Sequence, residues 1–117
     1  MDISHLHLHV RDRARSKAFY ERWFGLAVQF EEDHITFLSG DRGFLLALSD
    51  DVDPPPLPAW FHFGVRLVSH DAIESLHRRM RDADVKIVRD LVQGDEFASF
   101  RCADPDGYVI ESYWSAT

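Results

Sequence analysis

Apolar and polar residues alternate from Ser4 to Val10, placing Leu6, Leu8 and Val10 on one face and His5, His7 and His9 on the other. A period of two is the mark of a strand with one buried face. The period then lengthens. Ala14, Ala18, Phe19 and Trp23 follow at helical spacing, between Asp12, a suitable N-cap, and Gly25, a suitable helix stop. Short strands are expected near Ala27–Glu31, Ile35–Leu38 and Phe44–Leu48, with Ser39-Gly40-Asp41-Arg42-Gly43 turning between the last two. A second alternating run, Trp60 to Leu67, puts Phe61, Phe63, Val65 and Leu67 on one face and His62, Gly64 and Arg66 on the other. Ile73, Leu76, Met80 and Ala83 form the apolar stripe of a helix over Asp71–Ala83. Strands are expected near Val85–Val92, Phe97–Cys102 and Tyr108–Trp114, and Asp104-Pro105-Asp106-Gly107 has the residues of a type I turn.

The order strand, helix, three strands therefore occurs twice, with His5 matching His62 and Gly43 matching Gly107. Between the halves, Asp50 to Pro58 holds four of the five prolines, and proline lacks the N–H that a sheet ladder needs. The expected organisation is α+β: module one over 3–49, a proline-rich linker over 50–58 and module two over 59–114. Halves this short are rarely stable alone, so they are expected to pack as one domain spanning 1–117.

Composition narrows the partners. Nine Phe, three Trp and three Tyr offer too much to bury for a disordered chain. Thirteen Lys and Arg against 20 Asp and Glu leave a formal net charge of -7, which disfavours nucleic acid or an anionic membrane surface as a partner, since both call for a basic face. No run approaches the ~20 apolar residues of a membrane span, and the N-terminus lacks the pattern of a secretory signal. Cys102 has no second cysteine to pair with, so a cytoplasmic, reducing location is expected. Histidine is over-represented, with seven in all.

These features resemble the vicinal oxygen chelate superfamily of glyoxalases, bleomycin-resistance proteins, extradiol dioxygenases and fosfomycin thiol transferases. The resemblance rests on His5-Leu6-His7-Leu8-His9-Val10, Ser16-Lys17-Ala18-Phe19-Tyr20 with Trp23-Phe24-Gly25, His62-Phe63-Gly64-Val65, and Asp104-Pro105-Asp106-Gly107-Tyr108-Val109-Ile110-Glu111. It implies two βαβββ modules whose mixed sheet curls around a groove. It also implies metal ligands on the first and last strands of each module, here His5, Ala47, His62 and Glu111. Ala47 has no donor atom. The remaining two imidazoles and one carboxylate suit a divalent ion, Fe(II), Mn(II), Ni(II) or Zn(II), with open positions for a small substrate. Relatives of this length usually form homodimers in which His5 of one subunit would meet His62 and Glu111 of its mate.

Strand alternation adds further candidates. His5, His7 and His9 lie in a line, alternate residues being about 6.6 Å apart, so the three cannot close a compact site by themselves. His7 is expected to face substrate and move a proton, while His9 points to the rim. Ser99 and Arg101 are expected to face the groove, with Arg101 clamping an anionic substrate, and Tyr113 to donate a hydrogen bond or proton. Phe37, Trp60 and Tyr113 would wall an aromatic ligand. Cys102 falls on the core side with Phe100. His34, His70 and His77 are expected at the surface. A carboxylate in place of Ala47 would match glyoxalase I, so the ligand set is more similar to dioxygenases and thiol transferases. Two functions stay open: a metal-dependent dioxygenase, lyase or thiol transferase, and a metal-free protein that sequesters its ligand.

Overall fold

Each half of the duplicated pattern folds into a strand, a helix and three further strands. The computed structural model describes all 117 residues, and the chain divides into two compact units, Met1–Pro56 and Leu57–Thr117. In the first, β1 (His5–Val10) leads into α1 (Arg13–Phe24), followed by β2 (Ala27–Glu31), β3 (Ile35–Ser39) and β4 (Leu45–Asp50). The sheet order is β1-β4-β3-β2, with β1 parallel to β4 and the other neighbours antiparallel. The βα connection forces the one parallel pair, because a strand that leaves through a helix returns in the same direction.

Asp12 caps α1 by accepting the Arg15 N–H, and Gly25 closes it in the left-handed conformation. The helix does not bury the alanines of the expected stripe: Ala14 and Ala18 are exposed, whereas Ser16 and Tyr20 are buried. Ser16 and Tyr20 are four apart, one turn on the same face, and the tyrosine ring offers far more area to bury than two methyl groups. It joins Leu8, Val10, Leu38, Leu46 and Leu48 in the core of this unit.

The second unit repeats the plan with β5 (Phe63–Arg66), α2 (His70–Asp82), β6 (Ile87–Gly94), β7 (Phe97–Ala103) and β8 (Val109–Ser115), in sheet order β5-β8-β7-β6. Its core is Ile73, Leu76, Met80, Phe100, Cys102 and Ile110. The β5 strand starts three residues later than the alternation suggests. Phe61 N–H donates to the Pro58 carbonyl at 3.0 Å, so Trp60 sits in a turn and is 74% exposed. The Asp104–Gly107 turn closes with Gly107 N–H on the Asp104 carbonyl, and both Gly43 and its counterpart Gly107 have positive φ, which a side chain would strain.

His77 overturns an expectation. It is buried, 7% exposed, and not at the surface. The reason is helical geometry: it lies four residues after Ile73 and three before Met80, within the buried stripe. His34 is exposed as expected, and His70 is half-covered, its ring edge-on to Trp114.

Both sheets carry a β-bulge at the same place. In β2 the register shifts between Val28, opposite Leu38, and Phe30, opposite Phe37. In β6 it shifts between Ile87, opposite Cys102, and Arg89, opposite Arg101. Residues two apart normally share a face; each bulge moves the second residue to the face away from the helix.

Candidate functional site

On the face of the second sheet away from α2, one row of residues crosses all four strands: Gly64 on β5, Glu111 on β8, Arg101 on β7 and Arg89 on β6. The Glu111 Oε2 atom accepts from Arg89 Nη2 at 3.0 Å and from Arg101 Nε at 3.2 Å. Arg89 Nη2 also donates to Ser99 Oγ at 2.6 Å. Two guanidiniums against one carboxylate leave this cluster positive, and all three side chains remain partly open to solvent. Such an arrangement can receive an anion. The next row holds Arg66, Tyr113 and Ser99, with the Arg66 guanidinium 5.8 Å from the centre of the Tyr113 ring. Gly64 leaves room for that ring: a Cβ there would stand 3.3 Å from Tyr113 Cε1.

His62 immediately precedes β5, two residues before Gly64, the partner of Glu111. Its Nδ1 is 3.1 Å from the Trp60 carbonyl. A carbonyl only accepts, so Nδ1 is the donor, and in the neutral form of such a ring the lone pair lies on Nε2. This is the tautomer a metal ligand needs, with the orienting hydrogen bond such ligands usually have. Both arginines converge on Oε2 of Glu111, leaving Oε1 outside their network. An imidazole with its lone pair free and a carboxylate oxygen not taken by arginine fit a divalent ion.

The equivalent row of the first sheet is His7, Ala47, Phe37 and Phe30. Phe30 and Phe37 stack, with centroids 4.4 Å apart. His7 shares a 2.6 Å hydrogen bond between Nε2 and Ser49 Oγ. His9 packs 5.2 Å from His7 and donates from Nδ1 to Asp51 Oδ2 at 2.9 Å, which holds the Asp51 carboxyl below its ordinary range. His5 is exposed, its Nδ1 3.3 Å from Ser4 Oγ. The first unit thus gathers His5, His7 and Phe37 on one face, and the second gathers Ser99, Arg101, Glu111 and Tyr113, with His62 just ahead of β5. Trp60 enters through its carbonyl.

Arg89 is the member of this row that the alternating pattern does not reveal, because the bulge reassigns its face. Its signal in the sequence is indirect: Arg89 and Asp90 interrupt the apolar run between Val88 and Leu91. His70, Asp71 and Glu74 also bring donor atoms within 4.8 Å of one another, at the first turn of α2 and outside both rows. Cys102 is fully buried, and burial pushes its thiol up to about 12, so it is no nucleophile. No helix is long and apolar enough to cross a membrane.

Comparison with known proteins gives a consistent picture. The family model described as glyoxalase/bleomycin resistance protein/dioxygenase superfamily matches residues 2–112. Among solved structures, a possible glyoxalase from Bacillus cereus is similar at 24% identity, with a TM-score of 0.84 over 96% of this chain and 97% of that one. The fosfomycin resistance protein FosX from Listeria monocytogenes is 17% identical, with a TM-score of 0.84 over 98% of this chain and 93% of its own. Lactoylglutathione lyase from Agrobacterium tumefaciens is 17% identical, with a TM-score of 0.76 over 97% and 92%. At these identities the likeness shows a common fold. No curated protein sequence matches the chain.

Proposed function

Because the chain belongs to the glyoxalase/bleomycin resistance protein/dioxygenase superfamily, we propose that it is a divalent-metal-dependent enzyme acting on a small anionic substrate with vicinal oxygens. The proposed ligands are His5, His62 and Glu111, in a homodimer where one subunit supplies His5 and its mate supplies the other two. The observation that carries the reading is the hold on Glu111: Arg89 and Arg101 converge on one carboxylate oxygen and leave the other outside their network, while His62, two residues before the Gly64 that pairs with Glu111, turns Nδ1 to the Trp60 carbonyl. When bound, the ion supplies Lewis acidity to the substrate oxygens.

The chain's own residues do the rest. Arg89, Arg101 and Ser99 orient the anionic group. Tyr113 donates a hydrogen bond from its hydroxyl. His7, tied to Ser49 through Nε2, moves a proton to or from the substrate. Phe37 and Trp60 pack on its apolar part. With Ala47 where a fourth ligand would stand, the chemistry is that of ring-cleaving oxygenation or thiol addition rather than glyoxalase isomerisation.

A second reading, metal-free sequestration of an aromatic ligand, draws on the stacked Phe30 and Phe37 and on the exposed Trp60 ring. Metal analysis of protein purified without a nickel column separates the two. Stoichiometric divalent metal in the wild type and in His34→Ala, with its loss in Glu111→Ala, is expected. A wild type that takes up no Fe(II), Mn(II), Ni(II) or Zn(II) on titration would leave the sequestration reading in its place.

A further inference from the structure

His77 is the only histidine in the buried set of this chain. Its ring lies edge-on to Phe100, with centroids 5.0 Å apart, and its Nε2 reaches Asp90 Oδ1 at 2.7 Å. A carboxylate only accepts, so the imidazole donates. A leucine would fill this position of the α2 stripe without the cost of burying polar atoms. The contact it makes instead lands on an unusual piece of backbone. Asp90 lies within the irregular part of β6, where Val88, Asp90 and Leu91 have no partner in the register and Arg89 alone is paired among them. The same Asp90 Oδ1 accepts the Leu91 N–H at 2.8 Å, satisfying a donor where the ladder is broken.

We propose that His77 is a positioning residue: acting through Asp90 from the helix side of the sheet, it fixes the bulged segment of β6 that aims Arg89 at Glu111 and Ser99 on the opposite side. The inference rests on the reading of Arg89 as part of the ligand site. Arginine has many rotamers, and it holds two partners at 2.6 and 3.0 Å only if its backbone root is fixed. A strand interrupted on both sides of Arg89 does not fix it unaided. His77 supplies the anchor from the packed core, and Asp90, the residue next to Arg89, receives it and ties it to the Leu91 N–H.

Arg89 Nε gives a direct readout, because it is buried and has no hydrogen-bond partner. Solvent exchange of its Nε–H in 15N-labelled protein reports whether the guanidinium stays in place. Asp90 is mostly exposed, so Asp90→Ala tests the link without opening the core, and His77→Phe keeps the ring packed on Phe100. Both are expected to raise that exchange about tenfold, the scale of one lost hydrogen bond. Asp90→Asn, which keeps the accepting oxygen, and His77→Gln, which keeps a donor, are expected to restore protection. Wild-type protection in both Asp90→Ala and His77→Phe would overturn the inference. Titration with inorganic phosphate forms a separate arm. Phosphate affinity is expected to fall in Arg89→Ala and in His77→Phe, with no further loss in the double variant. Loss of Nε–H protection upholds the positioning role even if Arg89→Ala binds phosphate as the wild type does, a result that would sink the ligand-site reading instead.

Discussion

The two sheets place different chemistry on the same row. In the first, His7, Ala47, Phe37 and Phe30 cross four strands; in the second, Gly64, Glu111, Arg101 and Arg89 occupy the corresponding positions. Even the bulge that turns the outermost residue away from the helix is repeated, delivering a phenylalanine in one and an arginine in the other. The backbone is thus a common frame, and the row is where the halves have diverged. One row is aromatic with a single imidazole. The other is an ionic cluster whose carboxylate is already engaged.

The sharpest way to break this contrast is to move the carboxylate. Ala47 is 2% exposed between His7 and Phe37. Ala47→Glu is expected to destabilise the metal-free protein by about 3 kcal/mol at neutral pH, because a buried carboxylate there has no arginine to meet. Urea denaturation at pH 7 checks this. An unchanged midpoint would mean that the first row tolerates charge and that the contrast is superficial.

Glu111→Ala attacks the other row. It leaves Arg89 and Arg101 facing each other unneutralised, and a loss of about 2 kcal/mol in the same assay is expected, less than for a fully buried pair because solvent reaches all three groups. Adding Arg101→Ala to Glu111→Ala should recover part of the loss. Phe30→Ala removes one ring of the stacked pair. Because Phe30 is 46% exposed, only about 1 kcal/mol is expected.

The smallest effect is in acid. Each unit has an aspartate that accepts a histidine hydrogen bond: Asp51 from His9, and Asp90 from the Leu91 N–H and then His77. Both carboxyls are held below their ordinary value of 3.8. A depressed folded-state pKa stabilises the fold above the unfolded value, and that contribution is lost as pH falls through the folded one. Stability followed from pH 6 down to pH 2 should therefore fall less steeply in Asp51→Asn and Asp90→Asn than in the wild type.

Much of this was legible in the alternation of residues. A period of two assigns His5, His7 and His9 to one face, and Glu111 with Tyr113 to another, without any knowledge of the fold. What escaped is what alternation cannot express. A bulge resets the face count, which hid Arg89 and the pairing of Phe30 with Phe37. The turn closed by Pro58 and Phe61 took Trp60 out of its strand. Burial of His77 is written in helical spacing, although its polar identity argues against it. Position on the helix, not residue type, decides its burial.

Cys102 has a practical corollary. Being sealed under the second sheet, with its thiol held in the protonated form, the native cysteine is silent towards maleimides and nitroxide reagents. A cysteine introduced at exposed Val52 or Val68 would then be the sole target, with no need for a cysteine-free background. One label in each unit would turn the chain into a ruler, reading the distance between the halves as metal or ligand is added.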